Sequence, residues 1–339
     1  MIRAIAAVPR PMVEEQEAMN GRPAVTIAVP VYNGAARLPA LFERLDHLEG
    51  APGLTWEILI VDNNSTDGTA DVVRELGARS RVPFTYALEP RQGAAWARLR
   101  AIAIARGDWI FFLDDDNWPE ADWLRCAWAF VRDRPRLGAV GGKVLGAYGD
   151  ATLPPDFERV EGFWAVRDYG QFRDRAAQFN AAQLQLPPAA ALMVRRAAWL
   201  ACVPVQPALT GKVPGRLVQG DDYEPLLYLA RSGWEIWFCP ELVTWHQIGA
   251  ARLTLPYALE LARGCGLATY YLRSLLTPKG DRAVLFWRIA IGNALKVIQR
   301  RLMGRDRGWG DRVELAFLWG CALSPFYARR HLPEAPDPP

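Results

Sequence analysis

Residues 25–64 read VTIAVPVYNGAARLPALFERLDHLEGAPGLTWEILIVDNN, and this stretch decides the fold. Two apolar runs, 25–33 and 56–64, end in polar turn formers, and Leu38 to Leu48 between them has the period of an amphipathic helix. Two strands apolar on both faces, joined by a helix, make a βαβ unit whose strands lie parallel in a sheet covered on both sides. Working outward, FTYALEP (84–90), DWIFFLDDD (108–116) and AVGGKV (139–144) alternate with helical stretches at Ala70 to Leu76, Ala94 to Ala105 and Ala121 to Val131. The expected class is α/β, a mostly parallel sheet with helices on both faces. Beyond 145 a Pro- and aromatic-rich stretch reads as loop with short elements. Then come Ala189 to Val194, a helix from near Asp221, a strand over 234–238 and another ending at His246. Helical patterns over 255–275, 281–303 and 311–323 form a C-terminal extension.

The 339 residues, 51% of them apolar, suffice for one large or two modest cores, which excludes global disorder. Five scattered cysteines, an odd number without C-x-x-C spacing, indicate neither a disulfide framework nor a zinc site and fit a reducing cytoplasm. The N-terminus turns acidic after a short apolar run, unlike a signal peptide. No segment reaches the roughly 18 apolar residues of a spanning helix. A formal charge of +3 is too small for a nucleic-acid binder. Its partition is informative: residues 279–330 carry eleven basic and four acidic side chains, a sum of +7, and the remainder sums to −4. With Trp287, Trp309 and Trp319, that tail is expected to rest peripherally on the anionic inner face of the cell membrane; the alternative is a helical cap packed on the domain.

The first, second and fourth strands end in polar residues, and in open α/β sheets ligands bind at the carboxyl ends of strands. Asp114 and Asp116 follow the strand WIFFL and point to one side, because the side-chain period of an extended chain is two. Two such carboxylates repel unless a cation lies between them, and a divalent metal carrying a diphosphate meets that need. The alternative is a solvated acidic turn in which Asp116 or Asn117 caps the next helix. Asp62 can accept from a uracil imide or a ribose hydroxyl, or it can belong to a plain turn over 63–68. Pro30, Tyr32 and Asn33 can wall a base pocket. Arg91, before a helix, can meet phosphate oxygens or be merely solvated. Asp221 and Asp222 open a helix whose dipole favours acids regardless of function; the functional alternative makes Asp222 a proton acceptor. His246 is either hydrogen-bonded structure or a ligand of metal or phosphate.

Taken in order, VPVYNGAARLPALFERL, ILIVDNNSTDGT, the segment RQGAAWARLRAIAIARGDWIFFLDDDN, GDDYE and a late Trp-His resemble the family 2 glycosyltransferases of GT-A fold, over roughly residues 24 to 250. The resemblance is nearest to bacterial exopolysaccharide enzymes of the hormogonium-polysaccharide type, in which a His precedes an element like Arg252-Leu253-Thr254. It implies a Rossmann-like GT-A domain over 23–250, with a nucleotide-sugar half (23–145) and an acceptor half (146–250). An N-terminal extension (1–22), a helical C-terminal region (251–330) and a tail (331–339) flank it. It implies an inverting transfer of one sugar from a nucleoside-diphosphate sugar, UDP-linked, to a glycan or lipid-linked acceptor, with Mg2+ or Mn2+ as cofactor. Asp222 is then the base. Pro30, Tyr32, Asn33, Asp62, Asn64, Arg91, Asp114, Asp115 and Asp221 bind the nucleotide sugar, and Asp114, Asp116 and His246 hold the metal. No Gln-x-x-Arg-Trp signature of processive synthases follows. The competing classes are a sugar nucleotidyltransferase, which should carry a Gly-rich basic loop after the first strand, and a catalytically silent glycan-binding or scaffold protein.

Overall fold

The computed structural model describes residues 21–172, 175–213 and 218–337, so the expected N-terminal extension lies, but for residues 21 and 22, outside the described residues. The chain runs β1 (Val25–Val31), α1 (Leu38–Asp46), β2 (Trp56–Asp62), α2 (Thr69–Gly77), β3 (Phe84–Leu88), α3 (Ala94–Ile104), β4 (Trp109–Phe112), β5 (Asn117–Pro119) and α4 (Trp123–Val131). It continues through β6 (Leu137–Ala147), β7 (Ala177–Gln178), β8 (Leu192–Arg195), α5 (Arg196–Cys202), α6 (Tyr223–Arg231) and β9 (Glu235–Gln247). Three helices close it: α7 (Leu255–Ser274), α8 (Arg282–Leu302) and α9 (Trp309–His331).

The strands form one sheet in the order β3-β2-β1-β4-β8-β6-β9-β5, with β7 also on β9. β1 pairs in parallel with β2 and β4, β2 with β3, and β6 with β9. Among the described residues only β5, β7 and β8 run against their neighbours. This is the mostly parallel α/β sheet expected from the repeated βαβ pattern.

The pleat of β1 sends Val25, Ile27, Val29 and Val31 to one face, where they pack with Leu38, Leu41 and Leu45 of α1 and Trp123 of α4. Ala28, Ile110 and Phe112 face the other layer, with Ala97 and Ala101 of α3, Leu226 of α6 and Ala268 and Leu272 of α7. A further cluster packs Phe157, Val160 and Trp164 against Leu261 of α7 and Val313 of α9.

Three details differ from expectation. The two late strands are one, β9, whose pairing with β6 slips in register between Gly141 and Lys143. The acidic turn at 114–116 leads into β5 rather than a helix, so Asp116 and Asn117 cap nothing; α4 begins after Asp122. The last helix runs through Pro325 to His331 instead of ending at 323. Pro325 has no N–H for the Cys321 carbonyl, and the Ser324 hydroxyl donates to it instead at 2.7 Å, which lets the helix continue.

Candidate active site

A cavity of about 300 Å3 opens at the carboxyl ends of β1 and β4, lined by Pro30, Tyr32, Asp114, Asp115, Asp116, Asp221, Asp222 and His246 among others. Eight of the expected site residues therefore meet there. Asn33, Asp62, Asn64 and Arg91 do not line it. Asp62 is buried at the end of β2, accepting from the Ser65 N–H at 2.8 Å and the Tyr86 hydroxyl at 2.8 Å. Asn33 (φ 49°) and Asn64 (φ 63°) adopt the left-handed conformation that turn residues supply, and the Asn33 carboxamide oxygen accepts from the Thr66 N–H. Arg91 forks onto Glu89 at 2.7 and 2.9 Å and stacks 4.0 Å over Trp96. The neighbours Asn63 and Gln92 reach the cavity wall in their place.

The three consecutive aspartates have three different environments. Asp115 pairs with Arg37 at 2.7 Å; burial pushes its carboxyl up to about 7 although Arg37 pulls the other way. Burial also raises Asp114, against the attraction of Arg98. For Asp116 burial is outweighed by His246, Arg252 and Lys212, which hold its carboxyl well below the ordinary range. Asp116 accepts from Arg252 at 2.7 Å, and the same guanidinium nitrogen lies 3.1 Å from His246 Nε2.

Two arginines that line the cavity had no assigned role in the sequence reading. Arg98, on α3, is 8% exposed and binds Asp221 at 2.5 Å and Asp114 at 3.5 Å. Its signal was visible: Ala95, Arg98, Ala101 and Ile102 form the buried stripe of the helix, and one charge in such a stripe requires a buried partner. Arg252, quoted only within the Arg-Leu-Thr element, reaches the acidic turn from the loop after β9.

The Arg98 pairing separates the two acids that open α6. Asp221 is held by Arg98 from one side and by Gly211 from the other, where a Cβ would stand 2.8 Å from the carboxylate; Gly211 has φ +82°. Asp222 spends one oxygen on the Tyr223 N–H at 2.9 Å. It lines both this cavity and a second one of about 350 Å3 between the loop at 162–167, α7 and α9. Burial and the neighbouring Asp221 push its carboxyl up to about 6, with Arg98 acting in opposition.

Among the described residues no three His, Cys, Asp or Glu side chains are gathered closely enough to hold a metal alone. Asp116 and His246 would suit a divalent cation only with Arg252 displaced, because its guanidinium nitrogen contacts both of them. His246 Nδ1 lies 2.7 Å from the Trp164 carbonyl, which only accepts, so Nδ1 carries a proton and Nε2 is the ring nitrogen turned toward Asp116. Nε2 and Asp116 Oδ2 converge 3.3 Å apart, and Mg2+-like ions take one or two protein ligands, with phosphates and water as the rest.

A central, mostly parallel sheet with a carboxylate-lined cavity at its strand ends defines an α/β protein of GT-A fold. Residues 26–194 match the family described as Glycosyl transferase family 2, and through this segment the chain belongs to that family. The fold is similar to that of the mannosyltransferase PcManGT from Pyrobaculum calidifontis, solved with GDP-Man and Mn2+: the TM-score is 0.56 at 18% identity, over 91% of this chain and 88% of that one. In sequence the chain is 23% identical to the glycosyltransferase AglE of Haloferax volcanii over 66% of this chain and 67% of AglE. It is 32% identical to the PGL/p-HBAD biosynthesis glycosyltransferase of Mycobacterium bovis over 36% of this chain. It spans less than half of that relative (47%) and of TuaG of Bacillus subtilis (44%), named for teichuronic acid biosynthesis.

Proposed function

We propose that this chain is an inverting glycosyltransferase of polysaccharide biosynthesis that moves one sugar from a UDP-linked donor to a hydroxyl of a glycan or lipid-linked acceptor. Residues 23–145 would serve the donor and 146–250 the acceptor, with peripheral contact to the inner membrane face through 279–330. The observation that carries the reading is the position of Asp222, a carboxylate at the junction of two cavities whose neighbour Asp221 is locked by Arg98. One cavity, floored by the acidic turn, suits a nucleoside diphosphate; the other suits an acceptor.

Asp222 takes the proton from the acceptor hydroxyl as that oxygen attacks the anomeric carbon, and the sugar–phosphate bond breaks on the opposite side with inversion. Pro30 and Tyr32 wall the nucleotide side, and Asp114 faces the ribose. Arg98 keeps Asp114 and Asp221 in place. Asp116 and His246, with Asp114 beside them, would hold Mg2+ or Mn2+, which when bound neutralises charge on the departing diphosphate. Mn2+ in PcManGT supports this choice.

The test is a panel of UDP- and GDP-sugars with Mn2+ or Mg2+, read by release of nucleoside diphosphate and by nucleotide affinity. Asp222→Asn is expected to lower turnover by roughly 100-fold or more while nucleotide affinity stays within a few-fold. Full turnover by this variant would reject the base, and no diphosphate release from any donor would reject the transferase reading.

A further inference from the structure

Helix α8 is apolar on two sides. Its inner side buries Leu285, Phe286, Ile289, Ala290 and Val297. On the outer side Val284, Trp287, Ile291, Leu295, Ile298 and Leu302 are each between 52 and 84% exposed. Their spacing of three and four residues sets them in one stripe of about 80° along the helix. Folding needs a helix to bury one side only, and nothing among the described residues covers the second. Phe326 of α9, edge-on to the inner-side Phe286 at 5.0 Å, is itself half exposed. Soluble chains rarely leave so large a contiguous apolar face open.

The charges around the stripe indicate its occupant. Arg288, Lys296, Arg301, Arg305 and Arg307 are exposed on or just beyond the helix. A second copy meeting this face across a two-fold axis would bring like charges together. A surface of anionic lipid headgroups complements them, and large apolar side chains between cations are the pattern of a helix lying in the plane of an interface. No helix of the described residues is long and apolar enough to cross a membrane.

We propose that the outer face of α8 docks on an anionic bilayer, with Trp287, Ile291 and Leu295 in the headgroup–acyl boundary and the flanking cations on lipid phosphates. This face specifies the membrane contact proposed above for 279–330 and rests on that part of the reading, not on the transfer chemistry; one consequence rests on both. The second cavity beside Asp222 is walled by Ala268 and Leu272 of α7 and Phe317 of α9, in the helical layer that carries α8, so a docked protein presents its acceptor side near the lipid surface.

The experiment is flotation of the full chain with phosphatidylcholine vesicles, with and without phosphatidylglycerol, at low and high salt. Wild type is expected to float with phosphatidylglycerol and to be released by salt. The triple variant Trp287→Ser, Ile291→Ser, Leu295→Ser is expected to lose partitioning by roughly 100-fold. Arg301→Gln with Arg305→Gln is expected to lose roughly 5-fold per charge. Thermal melts check that the variants fold, and light scattering reads their oligomeric state. Equal flotation of wild type and triple variant, or none by wild type, overturns the proposal. A wild-type dimer that the triple variant dissolves assigns the face to self-association and overturns it as well. Diphosphate release is expected to be unchanged in the triple variant, so failure of catalysis and failure of docking are read separately.

Discussion

Arg98→Met removes the cation that joins the two halves of the site while keeping most of the side-chain volume. Arg98 is 8% exposed and Asp221 9%, so the variant strands a buried carboxylate whose partner stood 2.5 Å away, and it weakens the hold on Asp114. Breaking a buried pair from one side costs about 3–5 kcal/mol, because the remaining charge keeps its desolvation penalty without the attraction that offset it. The stranded carboxylates can escape by taking up protons. The variant's native state then holds protons that its unfolded chain releases, so its stability falls as pH rises. The deficit against wild type should be largest at pH 8 and shrink toward pH 5. For a chain of 339 residues it lowers Tm by roughly 4–7 °C at pH 8. Urea denaturation of both proteins at pH 5, 6, 7 and 8 measures it, and Asp221→Asn added to Arg98→Met should recover more than half of the loss. A deficit below about 1 kcal/mol, or one equal at pH 5 and pH 8, would refute the reasoning.

Two further outcomes follow from neighbouring groups. With the Asp222 carboxyl at about 6, log kcat/KM should fall with unit slope below about pH 6 and be level above it; a flat profile from pH 5 to 8 would remove Asp222 from the role of base. The same raised value means that ionised Asp222 costs stability above about pH 6 and costs none below its unfolded value. Asp222→Asn should therefore be more stable than wild type by about 3 kcal/mol at pH 8, a gain that fades toward pH 4 and is read by urea melts. Glu224 accepts from the N–H groups of Ala208 and Leu209 at 3.1 and 2.8 Å and from the Tyr271 hydroxyl at 3.2 Å. Glu224→Ala leaves the buried Leu209 N–H and the half-buried Ala208 N–H unpaired and should cost about 1–3 kcal/mol of stability; a cost under about 0.5 kcal/mol would show that water or a shift of the loop replaces the carboxylate.

Much of the architecture was legible because a parallel sheet imposes short-range rules. Strands buried on both faces must be apolar throughout, which marked β1, β2 and β4, while the largely exposed edge strand β3 was placed by the crossover-length repeat of α1 to α4. The polar strand ends marked the right edge of the sheet. Within that edge the local signals were ambiguous: Asn33, Asn64 and Arg91 carry turn and ion-pair chemistry, and the residues beside them, Asn63 and Gln92, reach the cavity. These residues lie in the turns after the strands, where backbone such as the left-handed Asn33 and Asn64 re-aims each side chain, so adjacency in sequence does not decide which one meets a ligand. The joining of two expected strands into β9 depended on pairing with β6, and the passage of α9 through Pro325 depended on one hydroxyl, Ser324.

By itself the sequence determined the α/β class, the carboxylates available for chemistry and the charge imbalance between the sheet and the C-terminal helices. The tertiary structure alone decided how these act. Arg98 and Asp221 are 123 positions apart and Arg252 and Asp116 are 136 apart, and only the order of strands in the sheet brings them together. Those pairings distinguish Asp222 from Asp221, two adjacent acids that no local pattern separates. In the same way the period of α8 announced an amphipathic helix, but which apolar side would be covered depended on where α9 packs. Periodicity is a property of neighbours along the chain; the environment of a charge or an apolar face is a property of neighbours in space.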